Sequence, residues 1–312
     1  MAETVESATE RLDDEELSFY HHRIDEIPDI DARSTLKSLN LRWNLLKRVK
    51  NLQHLTALTR LDLNDNQLTR IEGLGELVNL EYLDVSYNRL EKIEGLETLV
   101  NLKTLYLVHN KISVIEGLST LKKLELLELG DNHIRRIENL EELGDSLCFL
   151  FLGANQIRRL ENLRLARLKT LNVTANALQK IECLEALPSL EDLSLAQNGI
   201  RKMENLEPLA EKLRLLDLND NLIPTIEGLD QGFERLESFW MRKNRIGTFE
   251  ELRKLRRLPS LRSVSFEMNA IFSRPDYKRR VAEILPQVAT IDGFPTGWRA
   301  GDPWQEIPKG WL

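Results

Sequence analysis

The chain reads as an α/β solenoid, a right-handed coil with one curved parallel sheet on its concave side and short 3₁₀ or helical pieces on its convex side. Three observations predict this. An asparagine recurs at Asn44, Asn66, Asn88, Asn110, Asn132, Asn155, Asn176, Asn198, Asn221, Asn244 and Asn269, stepping by 22 residues through the first five and by 21 to 25 thereafter. Each follows one leucine pattern, as in Leu58-Thr59-Arg60-Leu61-Asp62-Leu63-Asn64-Asp65-Asn66. After it comes an Ile-Glu-x-Leu step, as in Ile71-Glu72-Gly73-Leu74. A fixed period of this size marks stacked units that bury their apolar faces against one another.

Within a repeat, Leu-x-x-Leu-x-Leu reads as a short strand. Its second and third leucines point the same way because strand side chains alternate. Stacking makes these strands parallel neighbours. The asparagine then reads as a buried side chain that bonds backbone groups of its own turn and of its neighbour, so that none is left unpaired. The return segment is too short for a full helix, which leaves 3₁₀ turns and short helical pieces.

One repeat cannot fold alone. A buried Leu or Ile contributes roughly 1.5–3 kcal/mol, against about 1–2 kcal/mol of backbone entropy for each ordered residue. Neighbours on both sides are needed, and the array needs lids. The expected organisation is an acidic tail over 1–16, an N-terminal cap over 17–35, eleven repeats over 36–270, a C-terminal cap over 271–292 and a tail over 293–312. The tail 1–16 sets seven acidic residues against Arg11. In the C-terminal cap Pro275 suits a first helical turn, and Tyr277, Val281, Ile284 and Leu285 share a helical face. The last segment carries Trp298, Trp304 and Trp311 among Gly and Pro, without periodicity.

Composition narrows the function classes. The 312 residues are 42% hydrophobic and 30% charged, with net charge −7, which disfavours a generic nucleic-acid binder. Cys148 and Cys183 fall in different repeats and do not make a disulfide framework. The start of the chain lacks a signal-peptide pattern, and no apolar run approaches the roughly 20 residues of a membrane span. The expectation is an intracellular, soluble monomer of the cytoplasm, the nucleus or both.

Catalytic and metal signatures are missing. The five histidines (His21, His22, His54, His109, His133) show no metal-ligand spacing, and no phosphate-cradling glycine loop or nucleophile elbow occurs. No enzyme activity, cofactor or metal is expected. Asp62-x-Asn64-x-Asn66 and Asp217-x-Asn219-x-Asn221 open like calcium loops, but Gln67 and Leu222 stand where glycine is required, and Gly73 and Gly228 where glutamate is. The sequon Asn172-Val173-Thr174 places Val173 in a strand core.

The outward strand position carries more information. Along the array it reads Asn40, Asp62, Asp84, Tyr106, Glu128, Phe151, Asn172, Ser194, Asp217, Trp240, Ser265, with Tyr82, Phe149 and Asp192 beside it. Aromatics interleaved with carboxylates on a rigid concave sheet have the make-up of a protein-binding surface: large anchors among charges that select the partner. Basic residues such as Arg70, Arg136 and Arg159 precede the recurring Ile-Glu step and read as a solvated ladder of weak ion pairs.

The Ile-Glu-x-Leu step at 22 residues, with Leu17–Ile24, Tyr106–Ile112, Leu127–Asn132, Phe151–Asn155, Phe239-Trp240-Met241 and Pro275–Val281, resembles the leucine-rich-repeat family of protein phosphatase 1 regulatory subunit 7. The resemblance covers about 17–292. It implies a leucine-rich-repeat solenoid, an arc or horseshoe. Its implied partner is the phosphatase 1 catalytic subunit, alone or with a further inhibitor subunit, held on the concave face. The family's binding positions map here onto Asp84, Tyr106, Glu128, Phe151, Asp217 and Trp240. Two positions depart: Ser238 stands where the family has Glu, and Ser265 where it has Tyr. Arg262-Ser263-Val264-Ser265-Phe266 also resembles a phosphatase-docking peptide, but Val264 and Phe266 fall at inward repeat positions. The alternative is a structural scaffold of another assembly, of ciliary (axonemal) or spliceosomal type.

Overall fold

In the computed structural model, which describes residues 10–13, 15–30, 35–229 and 231–296, each repeat contributes one strand of three residues. The strands are β1 (Glu10–Asp13), β2 (Glu16–Ser18), β3 (Ser38–Asn40), β4 (Arg60–Asp62), β5 (Tyr82–Asp84), β6 (Thr104–Tyr106), β7 (Leu126–Glu128) and β8 (Phe149–Phe151). They continue as β9 (Thr170–Asn172), β10 (Asp192–Ser194), β11 (Leu215–Asp217), β12 (Ser238–Trp240), β13 (Ser263–Ser265), β14 (Thr290–Ile291) and β15 (Phe294–Pro295). All join one sheet in chain order, parallel from β2 to β14. Its two ends are antiparallel hairpins, β1 on β2 and β14 on β15.

The middle residue of each repeat strand points inward, and its flanks point to the concave face. Leu61, Leu63, Leu68, Ile71, Leu74, Leu77 and Leu80 of one repeat are all at most 3% exposed, and the pattern recurs along the array. Val264 and Phe266 are each 0% exposed, so the docking-peptide match is not presented to solvent, and Val173 is 0% exposed in the core between the half-buried Asn172 and Thr174.

The asparagine ladder does what the sequence demanded of it. Asn132 Nδ2 donates to the carbonyls of Leu107 (3.0 Å), Leu129 (3.1 Å) and Gly130 (3.1 Å). Its Oδ1 accepts from Ile112 N at 3.0 Å. One side chain thus satisfies groups of its own turn and of the repeat before it, and Asn44 through Asn269 repeat the scheme.

The convex side is made of turns and short pieces, as the repeat length requires. Most returns are single turns closed by bonds such as Leu77 N to Leu74 O (2.9 Å) and Leu80 N to Leu77 O (3.0 Å). Among the repeats, 3₁₀ pieces occur at Glu141–Leu143 and Glu207–Leu209, and α1 (Glu250–Arg253) runs into another at Lys254–Arg257. Twenty-two residues close the loop without more. The ion-pair ladder links adjacent repeats, with Arg70 to Glu94 at 2.9 Å, Arg136 to Glu161 at 3.2 Å and Arg159 to Glu182 at 3.1 Å. These pairs are exposed and each is worth about 0–1 kcal/mol.

Gly95 shows how tightly the returns stack. Its φ is +71°, and a Cβ added there would lie 2.3 Å from the Ile71 carbonyl oxygen of the preceding repeat. Both the left-handed backbone and the clash with main chain oppose any side chain. Gly95→Ala is therefore expected to destabilise by about 2 kcal/mol or more, read as a lowered urea midpoint.

The C-terminal lid is α2 (Tyr277–Ile284), which follows Pro275 and buries Tyr277 and Val281, with Leu285 buried just beyond it. Tyr277 Oη donates to Asp292 Oδ2 at 3.0 Å. Asp292 Oδ1 accepts from Phe266 N (2.8 Å) and Glu267 N (3.2 Å), amides left by the last repeat. Burial, then the Asp292 charge, pushes the Tyr277 hydroxyl up, so it stays a donor. At the other end, Glu10–Asp13 lies in the stretch expected as tail yet pairs with β2, occupying the sheet edge. The Trp298, Trp304 and Trp311 segment lies outside the described residues.

Candidate protein-binding face

The strand register builds the site. Asp84 pairs with Tyr106, Tyr106 with Glu128, and Glu128 with Phe151. Asn172 and Ser194 continue the row, and Asp217 pairs with Trp240. All six candidate residues therefore stand in one line across the concave sheet, in two groups separated by two small polar side chains. From β5 to β12 the line runs about 34 Å at the usual strand spacing of about 4.8 Å. Phe149 is 37% exposed beside it, and Tyr82 lies 5.6 Å from Tyr106 between ring centres.

The carboxylates have a second, local task that the sequence reading missed. Asp217 Oδ1 accepts from Asn219 N at 2.9 Å, Glu128 Oε1 from Gly130 N at 2.8 Å, and Asp84 Oδ1 from Ser86 N at 2.8 Å. Asp62, Asn40 and Asn172 make the same bond to the amide two residues on. The chain turns away from the sheet at that amide, so a side-chain acceptor serves it. After Tyr106 and Trp240 the preceding repeat supplies the acceptor. Val108 N, after Tyr106, donates to Ser86 Oγ (3.1 Å), and Arg242 N, after Trp240, donates to Asn219 Oδ1 (2.6 Å). The recurrence of Asn and Asp two residues before a turn amide was the signal available in the sequence.

Availability differs along the row. Asp84 is only 9% exposed, and its Oδ2 also accepts from Asn64 Nδ2 at 3.2 Å, so little of its carboxylate is open to direct contact. Trp240 is partly buried, its Nε1 donating to Ser263 Oγ at 3.1 Å. Glu128 and Asp217 are half-buried, each holds only its turn amide, and neither has an ion-pair partner among the described residues. Burial pushes the Glu128 carboxyl up to about 7, against the Gly130 amide that lowers it. Burial likewise raises Asp217.

Glu128 makes stability depend on pH. Its folded value, about 7, lies above the unfolded value near 4.5. The folded state therefore favours the protonated form. The stability this contributes is full below about 4.5 and is lost as pH rises through about 7. Glu128→Gln keeps an oxygen for the Gly130 amide and removes the ionisation. At pH 8 it is expected to be more stable than wild type by on the order of 1–3 kcal/mol, and at pH 4 about equal, in urea melts across that range.

A family model described as "Leucine-rich repeat" matches residues 192–294, and one described as "Leucine Rich repeats (2 copies)" matches 56–98, 78–108 and 100–142. The chain belongs to the leucine-rich-repeat family. This leucine-rich-repeat chain is 37% identical over 101 residues to leucine-rich repeat-containing protein 23 of Bos taurus, covering 32% of this chain and 28% of that one. It is 29% identical over 128 residues to the probable U2 small nuclear ribonucleoprotein A' of Drosophila melanogaster, covering 40% and 48%. The leucine-rich-repeat chain thus spans less than half the length of these curated relatives. Neither is named as a phosphatase regulator, so the comparisons support the repeat family and not that subclass.

Solved structures share the fold. An internalin (inlF) of Listeria monocytogenes superposes with TM-score 0.70 at 23% identity, over 89% of this chain and 86% of that one. The leucine-rich-repeat domain of APL1B does so with TM-score 0.65 at 18% identity, over 82% and 77%. At such identities the likeness concerns architecture alone. Among the described residues no helix is long and apolar enough to cross a membrane.

Proposed function

We propose that this repeat array is a non-enzymatic regulatory subunit that holds a protein phosphatase 1-type catalytic subunit on its concave face. The observation that carries the reading is the single in-register row Asp84, Tyr106, Glu128, Phe151, Asp217, Trp240. Its acidic and aromatic order is the one the family resemblance implies. Half-buried carboxylates without cations of their own suit basic groups of a partner, and the aromatic side chains supply area with little conformational entropy to lose. Favouring one state of the bound enzyme is enough to regulate it. Ser238 and Ser265 flank Trp240 where the family has larger groups, so the C-terminal group of the row makes a smaller contact here.

The likeness to a U2 small nuclear ribonucleoprotein A' supports a second reading, in which the same row holds a protein of a ribonucleoprotein assembly. Affinity capture from cell extract, with bound proteins identified by mass, separates the two. Recovery of a phosphatase catalytic subunit by wild type but not by Asp217→Asn with Trp240→Ala supports the first reading. Recovery of ribonucleoprotein components and no phosphatase overturns it.

A further inference from the structure

A second row runs along the turn that follows the strands. The residue before each ladder asparagine has left-handed backbone, with φ of 62° at Trp43, 55° at Asp65, 54° at Tyr87, 54° at His109 and 53° at Asp131, and His21, which precedes His22 in the N-terminal cap, matches them at 59°. Trp43, Asp65, Tyr87 and His109 each donate their amide to a carbonyl of the following repeat, so the row keeps step with the sheet. In the first half of the array its side chains gather into two stacks. Trp43 lies on His21 at 4.6 Å, with Tyr20 at 5.9 Å, and Tyr87 lies on His109 at 4.9 Å. Asp65 stands between the two stacks, exposed and with no ion-pair partner among the described residues. Further on the row reads Ala154, Ala175 and Gln197, so the feature is local.

Turn geometry does not account for the aromatics. Left-handed backbone suits Asp or Asn and strains a bulky side chain. Asp65, Asp131 and Asp220 show that the turn forms with the cheaper residue. Nor does packing account for them, since Trp43 is 48% and Tyr87 49% exposed. Strained, solvent-exposed aromatics beside an unpaired carboxylate are the parts of a cation site.

We propose that this edge binds an arginine-bearing segment of a partner protein, a guanidinium stacked on Trp43 or Tyr87 and paired with Asp65. A planar guanidinium can stack and bond a carboxylate together, which an ammonium cannot do as well. The chain itself shows the stacking half of the contact nearby, with the Arg60 guanidinium 3.5 Å above the Tyr82 ring. Charge complementarity favours a basic occupant: the net charge is −7, and Asp62 and Asp84 lie on the adjoining strands. Arg42, next to Trp43, is engaged electrostatically with Asp62. The edge is separate from the concave row, and the proposal stands without the phosphatase reading.

The test titrates the full chain with a fluorescein-labelled peptide of four Gly-Arg repeats, a matched Gly-Lys peptide and a proline-rich peptide, followed by anisotropy. The arginine peptide is expected to bind about fivefold tighter than the lysine peptide, and Trp43→Asn or Asp65→Asn to weaken it about five- to tenfold. The thermal midpoint of Trp43→Asn should not fall, because asparagine relieves the backbone. Equal binding of the arginine and lysine peptides, unchanged binding by both edge variants, or preference for the proline-rich peptide would overturn the proposal.

Discussion

Asn132→Ala is expected to lower the stability of the central repeats by about 3–5 kcal/mol. The side chain is 4% exposed and bonds three carbonyls and one amide across two repeats. Alanine leaves those groups buried without partners, and each orphan costs about 1–3 kcal/mol before the structure relaxes or admits water. Because stability in such an array is a sum of repeat and interface terms, the loss should be local. Hydrogen exchange should show it first, with amides from about residue 107 to 134 losing protection before those near either end. Asn132→Asp is a sharper version. It keeps the acceptor for Ile112 N but replaces the Nδ2 donor by a carboxylate oxygen aimed at three carbonyls, and should cost at least as much as alanine.

How far the structure could be read from the sequence depends on the range of the interaction concerned. The strand, the inward leucines and the ladder asparagine were legible because each repeat states them again, from Leu39 to Val264 and from Asn44 to Asn269. Pro275 and the apolar spacing of Tyr277, Val281 and Leu285 announced the C-terminal helix in the same local way. The hairpin formed by Glu10–Asp13 was not legible, since its cause is an unpaired sheet edge and not its own composition. The short convex pieces were legible from the repeat length, because 22 residues leave room for little beyond turns such as Leu74 to Leu77.

The candidate site was legible in position but not in availability. Counting four residues back from an asparagine finds the row, and the register keeps it in line. Nothing in the count says that Asp84 is buried against Asn64, or that Trp240 donates to Ser263. The turn amides explain part of the acidic pattern without a partner, as Asn40 and Asn172 do the same work uncharged. What they leave unexplained is the charge on Glu128 and Asp217 and the exposed area of the aromatics. Those two properties carry the binding proposal.

Substitutions that separate the two roles follow directly. Asp217→Asn keeps an oxygen for the Asn219 amide, as Asn172 does for Thr174, and removes only the charge. Asp217→Ala would remove both and confuse lost binding with a loosened turn. Trp240→Ala removes the large anchor, while Phe239 and Met241 on either side stay in the core. The double variant Asp217→Asn with Trp240→Ala is expected to lose about 3–4 kcal/mol of binding, on the order of 10²–10³-fold in Kd.

The most direct measurement is calorimetric titration of the purified chain with a purified phosphatase 1-type catalytic subunit, wild type beside that double variant, with matched thermal midpoints. The account predicts a one-to-one complex for wild type and a Kd weaker by at least about a hundredfold for the variant. No heat of binding with wild type, or equal affinity for the two proteins, would contradict it.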